Sequence, residues 1–135
     1  MHTFTLHIQT PKECFVHEGI AHAHLPGASG AMGMRANHAP MVVQLASGVL
    51  HVRQKGQTNH YFINPGMAHI SKEKCLILTE KSQKLDDLDP RILQEQLESY
   101  HDDLAGMELD YEQRFIEREI RITRAMLHAV NDKKD

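Results

Sequence analysis

The sequence has no tryptophan and only two cysteines, Cys14 and Cys75, which are too far apart in the chain to form a CxxC motif. In a cytosolic chain such cysteines are expected to be buried small hydrophobic residues, not a disulfide or a metal pair. Long apolar runs are also missing, since no stretch approaches the roughly 18 residues that a transmembrane helix needs. The N-terminus lacks the basic region and apolar core of a signal peptide. These absences predict a cytoplasmic chain that does not insert into a membrane.

Motifs of catalysis and nucleic-acid binding are missing as well. There is no nucleophile–base pattern, and residues 27–30 (GASG) match neither a nucleophile elbow nor a phosphate-binding loop. Residues 1–85 are mildly basic, with eight Lys or Arg against four Asp or Glu, but aromatic residues do not interleave with the basic ones. A nucleic-acid interface is therefore not expected. We expect no catalysis within this chain and no cofactor.

The charge changes sign along the chain. Residues 86–135 carry seven Lys or Arg against fourteen Asp or Glu, which contrasts with the basic first part. The overall composition, 41% hydrophobic and 24% charged, is that of a folded protein. The change near residue 85 predicts two domains, residues 1–85 and residues 86–135.

The first domain shows the alternation of β-strands. Phe4, Leu6 and Ile8 alternate with polar residues, as in a strand with one buried face. Further strand candidates, separated by glycine and proline turns, cover residues 14–16, 20–25, 31–34, 41–45, 49–54, 60–63, 68–70 and 75–79. Many short strands with such turns predict an antiparallel β-sandwich or barrel.

The second domain shows helical periodicity. Asp89 and Pro90 form a helix start, and Gly106 is a typical C-terminal glycine. Between them one apolar stripe contains Leu93, Leu97, Tyr100 and Leu104. Asp110 and Gln113 look like a capping box that opens a second helix. An N-terminal β-sandwich followed by a C-terminal α-helical hairpin is therefore the predicted architecture.

The second helix is apolar over a wide arc. Its apolar positions include Phe115, Ile116, Ile120, Ile122, Met126, Leu127, Ala129 and Val130. One neighbouring helix does not cover such an arc. Two interpretations remain open: the helix packs against the sandwich, or it has two alternative docking surfaces.

Histidines suggest an alternative function. His22 and His24 lie two residues apart, which places them on one face of a strand. With a third ligand, this pair would suit a metal ion in a small, cupin-like β-barrel enzyme. No carboxylate lies within that strand segment, and the histidines at positions 7, 17, 51, 60 and 69 are scattered along the chain. Scattered strand histidines favour surface positions, so we expect no metal site.

Several segments occur in the order seen in a known family. They are residues 25–34 (LPGASGAMGM), 37–40 (NHAP), 46–52 (ASGVLHV), 64–70 (NPGMAHI) and 76–80 (LILTE). In this order the chain resembles the epsilon subunit of bacterial F-type ATP synthase, although the family usually has a Gly-Gly pair in place of Pro65-Gly66. The resemblance implies a sandwich and a helical hairpin. It also implies a non-catalytic component of the central stalk, which couples ion translocation to ATP synthesis.

The resemblance also implies partners and a location. The partners would be the gamma subunit, the ring of c subunits and the alpha/beta catalytic head, on the cytoplasmic side of the bacterial inner membrane. Contacts with the c ring or gamma would fall on Gly30, Ala31, Met32, Gly33 and His38. Many relatives have an acidic residue at the position of Ala31, so the resemblance implies an apolar contact there and not a charged one.

The hairpin would be the regulatory domain. In the family it folds onto the sandwich or extends into the catalytic head, where it blocks ATP hydrolysis. By resemblance Arg114, Arg118 and Arg121, which share one stripe of the helix, would pair with acidic segments of the beta subunits. Solvated ion pairs with Glu112, Glu117 or the acidic first helix are the alternative.

Some family members bind ATP through the motif Ile/Leu-Asp-x-x-Arg-Ala at the start of the hairpin. Here Leu88 and Asp89 match its beginning, but Ile92 and Leu93 stand at the arginine and alanine positions. Arg91 is one residue early, which rotates it by about 100° around the helix. We therefore expect no ATP binding.

Overall fold

The structure is a computed structural model that describes residues 2–133, and it divides between Lys84 and Leu85 into two compact units. The strands described in the first unit are β1 (Phe4–Gln9), β2 (Cys14–Leu25), β3 (Met32–Met34), β4 (Met41–Leu45), β5 (Gly48–Gln54), β6 (Gln57–Ile63), β7 (Gly66–Ile70), β8 (Lys74–Thr79) and β9 (Ser82–Lys84). The second unit contains a short 3-10 turn (Leu85–Asp87) and the helices α1 (Pro90–Ala105) and α2 (Asp110–Lys133). The predicted β-sandwich followed by two helices is confirmed.

The strands of the first unit form one continuous path. Their order is β4-β7-β8-β1-β2-β5-β6-β9, with β3 paired to β2. Neighbours are antiparallel except β1 and β8, which run parallel from the pair Thr5–Lys74 to the pair Gln9–Leu78. The predicted antiparallel sandwich therefore contains one parallel pair of strands. Parallel neighbours need a long connection, and β1 and β8 lie far apart in sequence.

A bend in β2 joins the two layers of the sandwich. The prediction split this strand at residues 17–19, but the structure has one strand of 12 residues. Its first part pairs with β1, and its second part pairs with β3 and β5. Gly19 has a φ of +69°, a conformation that glycine adopts readily, and the ladder with β5 is irregular between Ile20 and His22. The glycine therefore bends the strand without ending it.

Alternate residues of the strands fill the core. The predicted inward positions Phe4, Leu6 and Ile8 are all buried, and Cys75 joins them as expected. Burial raises the pKa of the Cys75 thiol to about 12. The expectation that Cys14 is buried is wrong: it is exposed, because it lies opposite Gln9 on the outward face of β2.

Strand β9 was not predicted. It pairs with β6 from Tyr61–Lys84 to Ile63–Ser82. The segment Ser82–Lys84 contains no apolar residue, so the alternation that marks other strands is missing. The remaining predicted strands differ from the observed ones by at most three residues at an end.

The start and the end of α1 are as predicted. The Asp89 side chain accepts a hydrogen bond from the backbone amide of Arg91 at 2.9 Å, and Pro90 occupies the first turn. At the other end the backbone amide of Gly106 donates to the carbonyl of Asp103 at 3.2 Å. These local signals fix the helix bounds.

The predicted capping box of α2 is wrong. The Gln113 side chain donates to the carbonyl of Met107 at 3.0 Å, and the Gln113 amide donates to the carbonyl of Leu109 at 3.1 Å. Leu109 thus accepts the first helical hydrogen bond, which places Asp110 inside the helix instead of at its cap.

The helices pack against each other within the second unit. The buried side chains of α2 are Ile116, Ile120, Ile122, Thr123, Met126 and Val130, whereas Leu127 is half-buried. Phe115, which widens the apolar arc, remains 59% exposed. The apolar surface of this helix is therefore only partly covered.

Gly66 provides a test of the sheet packing. A Cβ at this position would overlap the carbonyl oxygen of Leu78 on β8. We expect Gly66→Ala to lower the free energy of unfolding by about 2–3 kcal/mol, because backbone has to move to relieve the overlap. Urea unfolding followed by circular dichroism measures this.

Gly56→Ala is the matched control. Gly56 has a φ of +78°, but no atom lies within 4 Å of an added Cβ, so only the backbone conformation is strained. This substitution should cost about 1 kcal/mol. A larger loss at Gly56 than at Gly66 would contradict the packing argument.

Candidate subunit-contact surfaces

The segment that the resemblance assigns to the rotor contact is a tight hairpin followed by a turn. The amide of Gly30 donates to the carbonyl of Gly27 at 3.1 Å, and a Cβ on Gly27 would overlap the Gly30 carbonyl oxygen. The amide of Ala28 donates to the carbonyl of Gln44 at 2.8 Å, which ties the hairpin to β4. Asn37 has a φ of +67°, and its backbone amide donates to the carbonyl of Lys72. Backbone contacts thus hold both turns.

The five predicted contact residues all reach the surface of this segment. Gly30, Ala31 and Gly33 are exposed, whereas Met32 and His38 are half-buried. Met32 packs partly against the core, so only part of its side chain is free to touch another protein. His38 donates from Nδ1 to the carbonyl of Ala39 at 2.7 Å, which fixes its ring in the turn.

A second surface was missed by the sequence analysis. It is the outer face of strands β4, β7, β8, β1 and the first part of β2. Cross-strand pairing aligns two rows of residues on it: Val42, His69, Leu76, His7 and Val16 in one row, and Gln44, Met67, Leu78, Gln9 and Cys14 in the other. We call these ten residues the uncharged face, because none is Asp, Glu, Lys or Arg.

The uncharged face exposes large apolar side chains. Val42 and Val16 are 54% and 52% exposed, and Met67 and Leu78 are close to 40%. They occupy outward positions at which a solvated sheet normally carries polar residues. These apolar residues at outward positions were the sequence signal that could have revealed the surface. Only the pairing of the strands shows that they lie side by side. Contiguous apolar surface of this kind is typical of protein contacts.

The sequence suggested that the histidines are scattered, but the structure brings several of them together. His24 lies opposite His51, and His51 lies opposite His60, so three histidines form a row across β2, β5 and β6. The rings of His22 and His24 are 4.3 Å apart between centroids. Among the described residues, no group of three or more His, Cys, Asp or Glu is arranged to hold a metal ion.

A hydrogen bond joins the rings of His51 and His60. Their Nδ1 atoms are 2.7 Å apart, so one nitrogen donates and the other accepts, which requires at least one neutral ring. Burial, followed by the charges of His60 and His24, lowers the pKa of His51. Both the hydrogen bond and the burial therefore favour the neutral form of His51.

The basic stripe of α2 is placed as predicted. Arg114 and Arg121 are exposed, and Arg118 is half-buried. The Arg118 guanidinium lies 3.4 Å from the Glu119 carboxylate, a neighbour that the sequence analysis did not consider. Such a partly exposed pair adds little stability.

The start of the hairpin has apolar side chains at the positions where the ATP-binding motif has arginine and alanine. At the two departing motif positions, Ile92 is half exposed and Leu93 is buried. Neither side chain can bond a phosphate.

No helix within residues 2–133 combines the length and the apolar character needed to cross a membrane.

Comparison with known proteins identifies the family. Residues 3–84 match the family model of the beta-sandwich domain of the ATP synthase delta/epsilon chain. The ATP synthase epsilon chain of Rhodospirillum centenum is 29% identical over 132 residues, which cover 93% of this chain and 90% of the relative. That of Rhizobium meliloti is 30% identical over 105 residues, 77% of this chain and 78% of the relative.

A solved structure shares the fold. A chain in the Euglena gracilis mitochondrial ATP synthase (OSCP/F1/c-ring) has a TM-score of 0.82 and 23% identity, over 96% of this chain and 82% of that chain. The alternative of a cupin-like metal enzyme is wrong, because the family match covers the strands that would have formed its barrel. The chain belongs to the ATP synthase delta/epsilon family, as an epsilon chain.

Proposed function

We propose that this chain is a non-catalytic rotor subunit that binds gamma through the uncharged face. It lies at the periphery of the membrane, on the cytoplasmic side of the bacterial inner membrane. The observation that carries this proposal is the exposed apolar character of the uncharged face. Partner surfaces in stable complexes are depleted of charge at their centre and rich in apolar side chains.

The c ring would contact the segment that contains Gly30, Ala31, Met32, Gly33 and His38. Three of these residues are exposed and have small side chains or none, so another backbone can approach closely. Ala31 supplies no charge, which favours an apolar contact with the ring. Two different surfaces of the sandwich would thus serve two rotor partners.

The hairpin would regulate ATP hydrolysis in the alpha/beta head. Its support is the partly covered apolar arc of α2 and the basic stripe of Arg114, Arg118 and Arg121. The exposed Phe115 and Tyr111 add apolar surface near the start of the same helix. A helix with apolar and basic surface can dock against a groove with acidic residues.

Purified chain mixed with purified gamma subunit should elute as one complex in size-exclusion chromatography. Binding removes the apolar surface of the uncharged face from water, and salt does not screen this contribution. The complex should therefore persist at about 0.5 M salt, an ionic strength at which screening suppresses surface ion pairs. The matched control is the same column run with the chain alone and with gamma alone. Separate elution of the chain and gamma would contradict the proposal.

A further inference from the structure

A cleft on the first unit has a concentration of cationic groups. Its volume is about 660 Å³, and it is lined by His2, His22, His24, Arg35, Asn37 and Arg53, together with two alanines. None of these lining residues is acidic. The cleft lies on the outer face of β2 and β5, in the layer opposite to the uncharged face.

Register brings its basic groups together. Arg53 on β5 lies directly opposite His22 on β2, and His24 lies opposite Gly33 on β3. Gly33 has no side chain, and a Cβ there would be 3.1 Å from Nε2 of His22 and 3.5 Å from Nε2 of His24. Both imidazoles therefore lean over the glycine. Arg35 follows β3 directly and lines the same cleft.

In the described part of the chain, the two arginines of the cleft have no carboxylate partner. Within residues 2–133, no ion pair joins Arg35 or Arg53 to an acidic group. Two arginines and two of the histidines thus line one cleft, and no acidic residue is among its lining. Arginine presents its donors as a planar fork, which matches the oxygens of a phosphate group.

We propose that this cleft binds a phosphate group through Arg35 and Arg53, with His22 and His24 as additional donors. The group comes from inorganic phosphate or from the headgroup of an anionic phospholipid. Both sources present the same oxyanion to the same donors. The proposal is independent of gamma binding, because the uncharged face lies on the other layer.

Binding is coupled to protonation of His22. Burial, followed by the charges of His24, Arg35 and Arg53, lowers the pKa of His22. His24 lies on the same strand, Arg53 on β5 and Arg35 after β3, and each of these three groups opposes protonation of His22. His2 is the other titratable residue of the cleft lining. A bound phosphate reverses this field and raises the pKa. The phosphodiester headgroup keeps its charge as the pH falls, so its affinity rises with protonation of His22. Inorganic phosphate loses charge by protonation in the same range, so its affinity depends less on pH.

NMR of the imidazole C–H groups in the full chain tests the site. Inorganic phosphate is titrated first, and vesicles of phosphatidylglycerol and phosphatidylcholine are then compared with vesicles of phosphatidylcholine alone. We expect saturable shifts of His22 and His24 and no response of His128, which is exposed on α2. A response to phosphate identifies the free ion, and a response only to the anionic vesicles identifies the headgroup.

Charge removal gives the decisive comparison. The double substitution Arg35→Gln with Arg53→Gln should weaken binding at least tenfold. Arg91→Gln with Arg124→Gln removes the same charge from exposed positions on the helices and should leave binding unchanged. If the first variant loses its fold by circular dichroism, His22→Gln replaces it and should abolish the pH dependence. No saturable shift with either source, or equal losses in both double variants, would overturn the proposal.

Discussion

Deletion of residues 86–135 is expected to raise the ATP hydrolysis rate of the reconstituted enzyme several-fold while the remaining sandwich stays bound to gamma. The first unit has its own core, in which residues from both layers are fully buried, such as Leu6, Leu50 and Ile77. Compact units with separate cores fold independently in general. Hydrolysis by the complex, measured with the full chain and with the truncated chain, gives the result.

Two further measurements separate inhibition from assembly. The truncated chain must co-elute with gamma, which shows that the sandwich has folded. Arg114→Gln, Arg118→Gln and Arg121→Gln in the full chain should relieve part of the inhibition, because they remove the charges proposed to pair with acidic beta segments. Arg91→Gln, on the other helix, should have no effect. An unchanged hydrolysis rate after deletion would exclude the inhibitory role and leave the structural role intact.

Local signals in the sequence were sufficient for the architecture. Asp89, Pro90 and Gly106 fix α1 because capping depends on residues next to the helix ends. The alternation of Phe4, Leu6 and Ile8 identifies a strand and its buried side for the same reason. The capping box at Asp110 failed because Leu109 accepts the first helical hydrogen bond, which shifts the helix start by one residue.

The surfaces were not predictable in the same way, because they depend on pairing between distant strands. The parallel pair β1–β8 aligns Leu78 with Gln9, and the pair β7–β8 aligns Leu78 with Met67. Without both registers, an exposed leucine is an isolated exception. The row of His24, His51 and His60 depends on two further pairings. The five contact residues were predicted only because a family motif marks that segment.

Met67→Asp is expected to weaken gamma binding by roughly a hundredfold, which corresponds to about 3 kcal/mol. Met67 lies opposite Leu78 near the middle of the uncharged face, so a carboxylate there would be buried without a partner in the complex. An uncompensated buried charge costs several kcal/mol. Its exposure of 39% in the free chain means that the substitution should leave the fold intact. Binding isotherms with purified gamma measure the loss.

Thr58→Asp is the matched control, since Thr58 is exposed on β6 in the other layer. It adds the same charge and should leave gamma affinity unchanged.

The two native cysteines provide an independent readout of gamma binding. Cys14 ends one row of the uncharged face and is exposed, whereas Cys75 is buried in the core. Maleimide should therefore label Cys14 in the free chain, and gamma should slow that labelling in the wild type and in Thr58→Asp but not in Met67→Asp. Unchanged labelling of Cys14 in the wild type on addition of gamma would place gamma on a different surface of the sandwich, and equal protection in all three proteins would contradict the role given to Met67.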